Sequence, residues 1–226
     1  MVEHPGTAAL YIEAHRSFDE FARTLTETDW ATPTPCTPAW TVRDVLSHVS
    51  GVPDDGLAGR TEGAATEPWT ASQVDRNRGF SVAELLDRWA GQAAPFAGAI
   101  EAIGEPRPPF DCHSHEHDIR HALGKPGNRQ NAIVEASGLG LVEADEVAGP
   151  VTVELVDGRS FVSGDAAGTG AVAVRGLTMF EVFRSRLGRR SREQVRAYDW
   201  DGEAADIERV VDRWFVFGPS AQPIEE

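Results

Sequence analysis

Lysine is nearly missing from this chain: of 21 basic residues only Lys125 is a lysine, and the rest are arginine. Basic residues as a class are few beside 36 acidic ones, leaving a formal net charge of -15. Such a charge repels phosphate backbones and anionic lipid, so neither nucleic acid nor a membrane surface is expected as a partner. Cysteine occurs twice, as Cys36 and Cys112, which excludes a disulfide-rich scaffold. No stretch approaches the roughly 18 apolar residues of a membrane helix. The first residues also lack the basic-then-apolar pattern of a secretory signal. A cytoplasmic protein with two reduced thiols is the expectation.

What is present suits a folded protein. The 226 residues, 41% of them hydrophobic, can bury one large core or two modest ones. Helical periodicity dominates the first two-thirds. Phe18, Phe21 and Leu25 share a face over about Thr7 to Thr28, and the three prolines of "WATPTPCTPAW" must form a loop. Thr41 with Asp44 makes a capping box for a second helix that buries Val42, Val45, Leu46 and Val49. A polar, glycine-containing connection is expected from Gly51 to about Gly79. Ser81 with Glu84 caps a third helix carrying Leu85, Leu86, Trp89, Phe96 and Ile100. A fourth runs from "GEPRPP" to "GKPG", and a further helical stretch from about Asn131 to Val147 is weakened by Gly138 and Gly140.

At Gly149-Pro150 the texture changes. "VTVELVDGRSFVSGD" reads as two strands about a turn at Asp157-Gly158, "AVAVR" as a third strand, and "TMFE" as a capping box opening another helix. "ADIERVVDRWFVF" gives a last helical segment. The expected fold class is α+β: a helical bundle over 1–148 followed by a small α/β domain over 149–226.

"FDCHSHEHDIRHALG" holds four of the chain's seven histidines. Helix geometry divides them. Asp111, His115, Ile119 and Ala122 share one stripe with Asp118 at its edge, while His113, His117 and His121 occupy another. Turning the apolar stripe inward points Asp111 and His115 at the bundle interior and leaves the other three histidines to solvent. A carboxylate and an imidazole one turn apart can bind one ion, and His48, beside Val45 on the second helix, can supply a third ligand. Two histidines and one carboxylate leave positions open for water or substrate, as in a catalytic zinc. The competing reading is a hydrogen-bonded core histidine and a chance D-x-x-x-H spacing.

"TPCTPAWTVRDVLSHV" followed by "DCHSHEHDIRHALGKPG" resembles the mycothiol-dependent maleylpyruvate isomerase family of the DinB-like superfamily. The resemblance implies an N-terminal DinB-like four-helix bundle holding a divalent metal, on His48, Asp111 and His115, and a small C-terminal sterol-carrier-like domain. It also implies mycothiol or a similar thiol as cofactor. Characterised isomerases of that family carry glutamate where this chain has the shorter Asp111, so the substrate is left open.

A divalent cation, zinc by its donor set, stabilises a thiolate and so makes a nucleophile at neutral pH. Isomerase or S-transferase chemistry on a small, electrophilic, anionic substrate follows. Arg184, Arg186, Arg189, Arg190 and Arg192 form the densest basic run, with Arg190 as the candidate clamp for a substrate carboxylate; a solvated helix end is the alternative. Asp118 and Glu116 could orient a ligand or be ordinary surface acids, and Cys36 reads as a packing residue. A metal-dependent hydrolase and a non-catalytic metal- or small-molecule-binding protein remain alternatives, as do monomer and homodimer.

Overall fold

The computed structural model describes residues 5–143, 150–164 and 168–226. The expected extension of a helix to Val147 and the boundary near residue 148 lie outside the described residues. The chain divides into two compact units, one ending at Gly127 and one starting at Asn128, which is earlier in the chain than the boundary the change of texture suggested.

The first unit is built on four long helices: α1 (Thr7–Ala22), α3 (Val42–Leu57), α5 (Val82–Ile103) and α6 (Arg107–Ala122), joined by the short α2 (Glu27–Trp30) and by α4 (Glu67–Asn77). Helix α5 packs on α1 and α3, and α6 closes the bundle against the same two helices. Stripes at three- and four-residue spacing drive this arrangement. Tyr11, Phe18, Val45, Leu46, Trp89, Phe96 and Ile119 are all buried. Trp89 sits at the centre: its indole donates to the Tyr11 hydroxyl at 3.0 Å and meets the Phe18 ring edge-on at 5.2 Å.

Both expected capping boxes, Thr41 with Asp44 and Ser81 with Glu84, form with reciprocal side-chain and backbone bonds. Two differences from the expected layout matter for function. Helix α3 does not stop at Gly51 but continues through Gly51 and Pro53 to Leu57, and part of the expected connection is the helix α4. Polar α4 lacks an obvious apolar stripe because what it buries, Gln73 and Asn77 beside Val74, is mostly amide.

The second unit contains α7 (Ala132–Glu143), β1 (Val151–Leu155), β2 (Ser160–Ser163), β3 (Val172–Leu177), α8 (Met179–Arg186), α9 (Arg192–Arg196), β4 (Asp199–Asp201) and α10 (Ala204–Arg213). The sheet runs β2-β1-β3-β4, with β1 parallel to β3 and the outer pairs antiparallel. The fold is thus α+β, a helical bundle and a small sheet-containing unit. The turn at Asp157-Gly158 stands, with Gly158 at φ 87°. The short β4, Asp-Trp-Asp, has no alternating apolar pattern to reveal it. Helix α7 packs on α8 and β2. At Gly138 any Cβ would collide with the Met179 side chain, so a residue that weakens the helix allows close packing.

Within the arginine run, Arg184 and Arg186 are buried and tied to the fold. Arg184, fully buried, pairs with the Glu226 side chain at 2.6 Å, and Arg186 donates to the carbonyls of Trp214 and Leu141. Thr178 caps α8 through the Glu181 backbone, but the expected reciprocal bond is missing because the Glu181 carboxylate is engaged by Arg190 and Tyr198.

Replacing Trp89 by alanine removes the centre of the bundle core and should cost about 3–5 kcal/mol. Urea unfolding of the variant against wild type measures the loss.

Candidate metal centre

Helices α3 and α6 carry His48, Asp111 and His115 to one place: one ligand atom from each lies within 4.8 Å of the others. His48 Nε2 is 3.5 Å from Asp111 Oδ2, and His115 Nε2 is 3.5 Å from Asp111 Oδ1. The imidazoles are buried, with side-chain exposures of 3% and 8%, whereas Asp111 is 39% exposed, so the group opens to solvent on the carboxylate side. Trp40 lies beside both rings, at 5.3 Å from His48 and 6.2 Å from His115, and Trp69 meets His48 edge-on.

Each ring is fixed through its other nitrogen. His115 Nδ1 lies 3.0 Å from Asp118 Oδ2, and His48 Nδ1 lies 2.6 Å from Gln73 Oε1. A carboxylate only accepts, so His115 carries its proton on Nδ1. The Gln73 amide donates to Asp55 at 2.8 Å, which turns its oxygen to His48 and puts that proton on Nδ1 as well. Both Nε2 atoms are therefore turned to the space around Asp111, where a metal would take the place of any proton they carry.

Electrostatics agree with the geometry. Burial pushes the Asp111 carboxyl upward, but His115 and His48 beside it outweigh burial and hold it well below the usual range. Burial alone would lower His115, yet the carboxylates of Asp111 and Asp118 hold it above its ordinary value. The carboxylates thus favour positive charge at this place, which a cation would supply instead of a proton.

Several expectations change. His113 and His117 are buried rather than solvated, and His121 is half-buried. Their face stays dry because its polar groups satisfy one another: the two Nε2 atoms are 3.2 Å apart, and Glu116 accepts from Arg120 at 2.7 Å and from Ser17 at 3.2 Å. Asp118 and Glu116 are likewise fully buried, and of the two Asp118 touches the triad. Arg190 belongs to the second unit, where Glu181, Glu226 and the Arg189 carbonyl engage its Nε, Nη1 and Nη2 atoms. A substrate carboxylate would have to displace Glu181 and Glu226 to reach it. Neither Cys36 nor Cys112 is in a disulfide.

The residues missed from sequence are Gln73 and Asp55. Asp55 is fully buried on α3, two turns beyond His48, where Arg60 and Arg76 bind it at 2.8 and 2.6 Å. Burial raises its carboxyl, but Arg76, Gln73 and Arg60 together bring it below the usual value. The spacing His48, Gly51, Asp55 at i, i+3, i+7 marks one helix face and could have revealed it.

Asp55→Ala should therefore destabilise the protein by roughly 3 kcal/mol near neutral pH, the lower end for a broken buried pair because both arginines are partly exposed. A depressed carboxyl contributes above its unfolded value, about 3.9, and loses that contribution as pH falls through the folded one. The difference in urea unfolding between variant and wild type should shrink below about pH 4.

Comparison with known proteins adds one match. Residues 12–118, all within the first unit, match the family model described as the mycothiol maleylpyruvate isomerase N-terminal domain. No curated protein and no solved structure gives a significant match. The first unit belongs to the mycothiol maleylpyruvate isomerase N-terminal domain family.

Proposed function

We propose that the chain is a metal- and thiol-dependent isomerase or S-transferase acting on a small, electrophilic, anionic substrate, with His48, Asp111 and His115 as the metal ligands. The observation that carries this reading is the convergence of two bare imidazole nitrogens and one carboxylate, each imidazole held by a hydrogen bond on its far side. The family match supports the thiol, mycothiol or one like it. A divalent ion at this donor set, zinc being the natural choice, would lower a thiol's pKa and supply a thiolate nucleophile near pH 7.

The chain's own residues supply the rest. Imidazoles bound to a metal act as neutral donors, and one carboxylate against a divalent charge would leave the centre net positive, which would favour an anionic ligand. The half-exposed Asp111 lies on the open side, where thiol and substrate would enter. Trp40 and Trp69 wall the imidazoles with aromatic surface and restrict water there. Gln73 and Asp118 keep both rings from turning.

Elemental analysis of protein purified without a histidine tag tests the centre. Wild type should hold about one zinc or other divalent ion per chain, and His48→Ala and His115→Ala should lose it. Stoichiometric metal in both variants would overturn the ligand set. Wild type should then turn over electrophilic acceptors only with a low-molecular-weight thiol present. A rate indifferent to thiol would instead favour metal-bound water and hydrolysis.

A further inference from the structure

Gln73 stands on a helix that contributes no ligand, yet three features of the fold converge on it. Its side chain is completely buried, and both ends of its amide are used, toward His48 Nδ1 at 2.6 Å and Asp55 at 2.8 Å. Asp55 can only accept, so it dictates which end of the amide faces the histidine. Asp55 is itself immobilised by Arg60 and Arg76, both on the same oxygen, Oδ1, which leaves Oδ2 for the glutamine. Finally, Gly51, one turn beyond His48 on the same face, has no side chain: a Cβ there would lie 2.8 Å from Gln73 Cβ and 2.9 Å from its Cγ. The backbone of α3 has been cleared to let this one side chain reach the ring.

We infer that Gln73 is a positioning residue of the metal centre, holding His48 with its proton on Nδ1 and its Nε2 lone pair toward Asp111, while the Asp55–Arg60–Arg76 cluster holds Gln73. The consequence for metal rests on the proposed centre; the tautomer is a property of the metal-free protein. The two imidazoles are unequally backed, His115 by a carboxylate and His48 by a neutral amide. Gln73 therefore fixes a ligand without adding negative charge, and the centre keeps the positive charge that an anionic thiolate needs. Asn77 supports the same placement by donating to the Ser47 carbonyl at 2.7 Å, tying α4 to α3 beside His48.

The test uses the full chain labelled with 15N-histidine. In metal-free wild type, NMR should find His48 as the Nδ1–H tautomer. Gln73→Leu should lose that preference, Gln73→Glu combined with Asp55→Asn should retain it because an oxygen still faces Nδ1 while the amide and carboxylate merely exchange places, and Gln73→Met replaces the leucine variant should that one not fold. Zn2+ affinity, read by competition with a chromophoric chelator, should fall about 10- to 100-fold in Gln73→Leu. An Nε2–H tautomer in wild type, or an unchanged tautomer in the leucine and methionine variants, would overturn the inference, as would equal loss in Gln73→Leu and in the paired Gln73→Glu, Asp55→Asn variant. Should wild type take up no Zn2+, the proposed centre fails, and the tautomer measurement still decides the role of Gln73.

Discussion

An imidazole offers one nitrogen to a ligand in a defined direction only when its other nitrogen is already committed. Much of the first unit can be understood from that constraint. His48 and His115 come from different helices, and each has its own acceptor behind it, Gln73 on α4 and Asp118 on α6 itself. Meeting the demand on α6 costs nothing in topology, because residues three apart already share a face. Meeting it on α3 takes a separate helix, a cleared glycine and a buried carboxylate held by two arginines.

That difference explains what could be read from sequence. Asp111 and His115 were legible because their spacing and the apolar Ile119 belong to one helix, so local geometry sorts them. His48 followed from its place beside Val45. Gln73 was hidden because its partner is 25 residues away and its helix shows no apolar stripe. The capping boxes before α3 and α5 fixed where those helices start, yet Gly51 misled about where α3 ends, since packing against α4 outweighs its poor helix propensity.

Burial of the polar residues is where composition was least informative. His113, His117, Glu116, Arg184 and Arg190 look like surface on any hydropathy scale, and all are buried. Glu116 and Arg184 draw partners from far along the chain, Ser17 and Glu226, and such pairings leave no periodic trace. In an acidic chain, Arg184 and Arg190 of the densest basic stretch supply internal counter-charges to Glu181 and Glu226.

Helix α4 buries Gln73, Val74 and Asn77, and its Trp69 and Arg76 also reach back to α3. An element with so small a buried face is among the least costly to detach from a fold, and it can open while the bundle remains intact. The orientation of His48 therefore lasts only as long as α4 stays docked, so a ligand's direction on one helix is tied to the persistence of its neighbour.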